Sequence, residues 1–267
     1  MTKSTRLIVC TPRHLPRHAW PRAATKAIAV NPDNRPPALD EDEVPMGSEG
    51  EKLAIDVTRY WGNKGVHLTV GFFETPDQAL HKRILLHLNA WGKSANVVFV
   101  ESASEPQVRI ARWTGNEAAP GEDGYWSNLG TDILLIDADR PTMNLEGFTM
   151  QTLDSEFYRV VRHEAGHTLG FPHEHMRKTL VQRLDREKVI RDYMEAQGWT
   201  RQEVIDQVLT PLEESSLLGT PMPEADSIMC YEISGELTMD GKPIVGGTDI
   251  TTNDHAFAAQ IYPKVAK

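Results

Sequence analysis

The sequence predicts an α+β domain behind a proline-rich N-terminal arm. Two observations lead there. Strand patterns and one amphipathic helix come first in the regular part of the chain. Helices and irregular Pro/Gly-rich stretches come after a helix that ends in a histidine-rich turn. Length and composition agree: 267 residues, 40% hydrophobic and 25% charged, suffice for a sizeable core.

Residues 1–55 read as the arm. Prolines recur at Pro12, Pro16, Pro21, Pro32, Pro36, Pro37 and Pro45, and residues 38–45 form an acidic patch. Hydrophobic periodicity is absent, as in a disordered tail or an extended pro-segment, and both readings stand. Residues 66–74 alternate as a strand does. Pro76 and Asp77 then open a helix to about Ala95, with Leu80, Ile84, Leu85, Leu88 and Trp91 on its apolar face. Residues 97–102 and 108–113 are read as strands, 125–129 as a short edge strand and 132–137 as a buried strand. A helix is expected from about Leu153 to Leu169, capped by Asp154 or Thr152 and ended by Gly170. Polar helices follow near 185–197 and 200–209. The last helix, near 253–261, is expected to be capped by Asn253.

The net charge of -10 argues against nucleic acid as a partner, because phosphate binding needs a basic face. No apolar run approaches the length of a membrane span. The apolar stretch Leu7 to Cys10 is too short for a signal-peptide core. The expectation is therefore export by another route, a leader outside this sequence, or a cytoplasmic location. Two cysteines, Cys10 and Cys230, make one bridge at most. Oligomeric state is left open.

The chemistry is concentrated in residues 163–175, HEAGHTLGFPHEH. His163 and His167 stand one helical turn apart and present their imidazoles on one face. Gly170 lets the chain leave the helix in a left-handed conformation, so that His173 returns to the same ion. Three neutral imidazoles suit Zn2+ and leave its fourth position open, the mark of a catalytic site. Zinc lowers the pKa of a bound water to roughly 7, and Glu164, beside the ligands, is the candidate general base. The full spacing, with Gly170 and His173, arises by chance in roughly one sequence in ten thousand of this composition. The bland alternative is a polar helix face ending in a His-rich turn. His175 is read as a bystander whose ring points away from that of His173.

This string has the H-E-x-x-H-x-x-G-x-x-H form of the metzincin zinc endopeptidases. Its continuation through Phe171, His173, Glu174 and Arg177 resembles the astacin branch. Residues 227–231, SIMCY, are similar to the astacin Ser-x-Met-His-Tyr turn, roughly 60 residues downstream. The resemblance runs over about residues 57–262. It implies a divergent, bacterial, astacin-like peptidase made as a zymogen and working outside the cell. It also implies a mixed twisted sheet with a backing helix and an active-site helix in residues 56–170. A mostly irregular and helical subdomain would fill residues 171–267. Met229 would form the Met-turn beneath the metal. Tyr231 would be a fifth zinc ligand at rest and an oxyanion donor during turnover. Taken alone, Met229 and Tyr231 are better explained as core packing; paired with the zinc string, the family reading takes over.

The departures are specific. Cys230 stands where astacins usually have His, the astacin pair of disulfides cannot form, and the run after Arg177 matches only loosely. No Phe-x-Gly-Asp latency motif is present in the arm. Glu174 would bind the freed N-terminus in the family; a solvated loop carboxylate is the alternative. For Cys10 three readings stand: a latency ligand to the zinc, a disulfide with Cys230, or an inert thiol. The expected substrate is an extended polypeptide added to an edge strand, with residues 125–129 as the candidate rim. The rival classes are a catalytically weak zinc-binding module and an interaction protein that uses its arm.

Overall fold

The structure is a computed structural model that describes residues 10, 13, 15, 17–32, 54–56, 59–74, 77–115, 122–212, 217–219 and 223–264. The acidic patch at 38–45 lies outside the described residues. Among those described, no helix is long and apolar enough to cross a membrane.

The arm contains regular structure that its prolines concealed. Helix α1 (Trp20–Val30) follows a 3-10 turn and packs against the 3-10 helix Gly130–Leu135. Pro21 lies in its first turn, where the missing N–H costs nothing, and Ala23, Ala24, Ala27 and Ala29 favour helix. The proline count suggested a structureless segment because it did not weigh the alanines.

Five strands form the main sheet: β2 (Val66–Phe72), β3 (Val97–Glu101), β4 (Val108–Ala111), β5 (Tyr125–Ser127) and β6 (Met143–Leu145), in the order β3-β2-β4-β6-β5. All neighbours are parallel except β5, which pairs antiparallel with β6 at the edge. A separate two-stranded ribbon joins β1 (Ala54–Asp56) to β7 (Leu217–Gly219). Residues 132–137 do not form the expected strand. They belong largely to the 3-10 helix under α1, where the Asp132 carboxylate is buried against the Arg59 guanidinium at 2.8 Å. The apolar run Ile133 to Ile136 looked like a buried strand because burial alone does not distinguish the two. Three strands were not foreseen, β6 in the main sheet and both strands of the ribbon, and each is only three residues long.

Helix α2 (Gln78–Leu88) backs the sheet. Asp77 caps it by accepting from the Ala79 amide at 2.9 Å, and Leu80, Ile84 and Leu88 are buried. The helix tightens into a 3-10 turn over Asn89–Lys93, which sinks Trp91 completely into the core. There the indole N–H donates to the Arg162 carbonyl at 2.9 Å. The backing helix thus meets the active-site helix at the turn that carries the first histidine.

That second helix is composite: α3 (Asp154–Glu156), a π-helical turn over Phe157–Val161, and α4 (Arg162–Thr168). Its N-cap is Leu153, with no side-chain capping bond; neither Asp154 nor Thr152 caps it. Gly170 ends it at φ 98, as the spacing required. Beyond it lie α5 (Lys178–Val181), α6 (Arg186–Gln197, between the Asp185 cap and left-handed Gly198) and α7 (Arg201–Val204), which continues as a π turn over Ile205–Leu209. Leu184, Val189, Ile190, Val204 and Val208 give this half its own core. Helix α8 (Thr252–Ile261) is capped by Thr251 in a reciprocal box with Asp254, so Asn253 is not the cap.

Candidate metal centre and active site

The local rules of the helix bring the donors together. His163 and His167, one turn apart on α4, both face the cleft. After Gly170 the chain reverses: the Gly170 amide donates to the His167 carbonyl at 2.8 Å and the Phe171 amide to the Gly166 carbonyl at 3.0 Å. His173 is thereby returned to the helix. Its Nε2 lies 3.0 Å from the Nε2 of both His163 and His167. Two of the rings are held from behind. The Nδ1 of His163 donates to the Ile228 carbonyl at 2.6 Å, and that of His167 to the Phe171 carbonyl at 2.8 Å. A carbonyl only accepts, so both Nδ1 atoms carry the proton and both Nε2 lone pairs face inward.

Three imidazole nitrogens crowded to this distance repel one another unless a cation lies between them. Tetrahedral zinc would set them roughly 3.3 Å apart, within a small relaxation of the observed separations. Burial also holds the His163 imidazole near 4, in the neutral form a metal needs. The donor set therefore fits Zn2+. Cys10 joins it: one donor atom each from Cys10, His163, His167 and His173 all fall within 4.8 Å of one another. His175 is not in this set. Its ring stacks on Tyr231 at 4.0 Å between centroids, and its Nε2 meets the Gln207 carbonyl at 3.3 Å.

Glu164 is completely buried, and burial pushes its carboxyl up to about 8, opposed by the Cys10 hydrogen bond and the Arg159 charge. The Cys10 Sγ donates to Glu164 Oε2 at 3.5 Å. The other oxygen, Oε1, is buried with no hydrogen-bond partner among the described residues. Burial and the Glu164 charge push the Cys10 thiol well up. The Tyr231 hydroxyl donates to the Cys10 backbone carbonyl, and its ring lies 4.4 Å from that of His173. Both cysteines are free thiols, so the disulfide between Cys10 and Cys230 is not formed.

Met229 lies directly beneath the helix. A β-carbon on Gly166 would come within 2.4 Å of the Met229 sulfur and 3.3 Å of the Trp91 ring. Glycine inside a helix costs about 1 kcal/mol relative to alanine; here it lets the methionine pack under the two histidines. Glu174 is fully buried rather than solvated, with its carboxylate 3.8 Å from the buried Arg177 guanidinium and its amide donating to the Met229 carbonyl at 2.9 Å.

The cleft beside the histidines is lined by Tyr125, Arg159, Glu164, Cys230 and Tyr231, with Val245 at its mouth. Its rim is β5, the antiparallel edge of the sheet. The N-terminal arm lies along that edge, with Cys10 bridged to Tyr125 and Arg13 to Asn128 in the parallel sense, and Arg13 stacked over Trp126 at 4.5 Å. Two residues escaped the sequence reading. Arg159 precedes His163 by one helical turn, and that spacing was available to find it. Asp254 carried no such signal, because its role depends on where α8 docks.

Searches against protein-family models and curated proteins gave no match. Among solved structures, the chain is similar to two structures of myroilysin: one at TM-score 0.72 and 28% identity, covering 80% of this chain and 100% of that one. The other stands at TM-score 0.56 and 28% identity, covering 85% and 97%. A further match is high choriolytic enzyme 1, a hatching-enzyme zinc-protease from Oryzias latipes (medaka fish), at TM-score 0.48 and 16% identity, covering 83% of this chain and 98% of that one. The fold and the three-histidine centre are like those of the metzincins. Within that class the chain is astacin-like, a zinc metalloendopeptidase.

Proposed function

We propose that His163, His167 and His173 hold the catalytic zinc, that Glu164 is the general base, and that the arm keeps the full-length chain latent through Cys10. The observation that carries this reading is the convergence of three Nε2 atoms, one buried carboxylate and one thiol on a single cleft. When bound, zinc supplies Lewis acidity toward a peptide carbonyl and acidifies a water at its open position. Glu164 would accept a proton from the attacking water through Oε1, the oxygen with no hydrogen-bond partner among the described residues, and pass it to the leaving amine. Its raised pKa suits both roles, and a cation nearby brings the carboxyl back toward its ionised form. Met229 serves as the Met-turn, an apolar floor that keeps the imidazoles from tilting. Tyr231 would donate to the developing oxyanion once its hydroxyl is released from the Cys10 carbonyl, and in the arm-free protein at rest it would be a further ligand for the zinc.

The substrate is an extended polypeptide laid along β5, the edge the arm now covers. In the latent state Cys10 would hold the zinc together with the three histidines, as a thiolate, because a coordinating thiol is deprotonated. Glu164 stands beside it to receive the proton. Work outside the cell follows from the family resemblance.

The test is metal analysis of the pure protein with a casein digest. One zinc per chain is expected, with activity lost to a chelator and restored by zinc. Protein grown with ample zinc that contains none would end this reading. Tyr231→Phe, assayed on the same substrate after removal of the arm, is expected to cost less than loss of the general base. A single oxyanion donor is worth about 3–4 kcal/mol at most, and zinc shares the charge. An equal loss in the two variants would give Tyr231 a larger part than a donor.

A further inference from the structure

We propose that Asp254 is a positioning residue for the metal centre: it sets the peptide whose carbonyl holds His163 in its metal-binding tautomer. The inference rests on His163 and His173 being zinc ligands, as proposed above.

Asp254 belongs to α8, far from the histidines in sequence, and its side chain is fully buried. Its carboxylate spends both oxygens on backbone and hydroxyl donors. Oδ1 accepts from the Ser227 hydroxyl at 2.7 Å. Oδ2 accepts from the Ile228 amide at 3.1 Å and from the Thr251 amide at 2.9 Å. The Ser227 oxygen in turn accepts from the Met229 amide at 3.1 Å. One carboxylate thus orients two successive peptides of the turn over residues 227–229.

The carbonyls of that turn point the other way, at the ligands. The Ile228 carbonyl accepts from His163 Nδ1 at 2.6 Å. The Met229 carbonyl accepts from the Glu174 amide at 2.9 Å, which holds the peptide directly after His173. A carboxylate gathering N–H groups on one side of a turn fixes the direction of its carbonyls on the other. Partners in the shell around metal ligands set ring orientation and basicity, and their loss typically lowers metal affinity by about 10–100-fold. Asp254 reaches two ligands through one turn.

The competing explanation is that Asp254 merely caps α8, since its amide also donates to the Thr251 hydroxyl at 3.0 Å. Thr251→Ala removes that capping bond and leaves the carboxylate on Ile228, so the two roles separate. Zinc affinity of the full chain is measured by competition with a chromophoric chelator, with circular dichroism to verify folding. Asp254→Ala is expected to bind zinc about 10–100-fold more weakly than wild type. Thr251→Ala is expected to melt earlier but bind zinc as wild type does. Asp254→Asn, which keeps an acceptor for the Ile228 amide, should fall between them, and its cobalt-substituted form should show shifted visible absorption. If Asp254→Ala does not fold, Asp254→Asn against Thr251→Ala decides. Equal zinc affinities in the folded Asp254 and Thr251 variants would overturn the proposal. Wild type that binds no zinc would instead overturn the ligand assignment on which it rests.

Discussion

Glu164→Gln is expected to retain zinc and to lose peptide hydrolysis by a factor of at least about a hundred, the usual scale for a general base. Glutamine is nearly isosteric, so packing around this completely buried side chain should survive. What disappears is proton acceptance. The carboxyl sits at about 8 because burial disfavours its charge, and the amide has no proton equilibrium to offer. The metal should remain, since the His163 and His167 rings are oriented by the Ile228 and Phe171 carbonyls and not by Glu164. The measurement is turnover of a peptide substrate by arm-free protein, with zinc content determined on the same sample. Near-normal turnover would mean that another group activates the water. Loss of zinc together with activity would show that Glu164 supports the metal rather than the proton transfer.

Cys10→Ser should make the full-length chain active without proteolysis, by at least about tenfold over wild type, which corresponds to about 1.4 kcal/mol of lost latency. The thiol is the arm's contact with both the imidazoles and the Glu164 carboxylate, and serine is a much poorer zinc ligand. The bridges of Cys10 to Tyr125 and of Arg13 to Asn128 are backbone contacts and survive the substitution. Some occlusion should therefore persist, and a chain beginning near residue 50 should be more active still. Cys230→Ser is expected to stay latent, because Cys230 lines the cleft but is not among the converging donors. The decisive comparison is wild type against the shortened chain. Equal activity in those two would eliminate the latch, whatever Cys10→Ser does.

The candidate metal site was legible because its geometry is nearly local. His163, Glu164 and His167 are ordered by one helical turn, and Gly170 at φ 98 returns His173 within a few residues. The alternation of residues 66–74 and the apolar face from Leu80 to Leu88 likewise state their own secondary structure. The apolar run at 132–137 did not, because a buried strand and a buried 3-10 helix expose equally little surface. The choice between them came from long-range packing under α1 and the Arg59–Asp132 ion pair.

What the sequence determined by itself, then, is what depends on short separations along the chain: the helix with two imidazoles and the turn that returns a third, the carboxylate of Glu164 beside them, and the periodicities that place β2 and α2. Tertiary structure decided what depends on distant segments meeting. It brought Cys10 across 154 residues to Glu164 and left both cysteines free. It buried Glu174 against Arg177, turned Gly166 into a seat for Met229, and set Asp254 behind the turn that orients His163. The physical reason is range. Backbone periodicity and turn chemistry act over a few residues, whereas a buried charge or thiol acquires its partner only when the whole core closes around it.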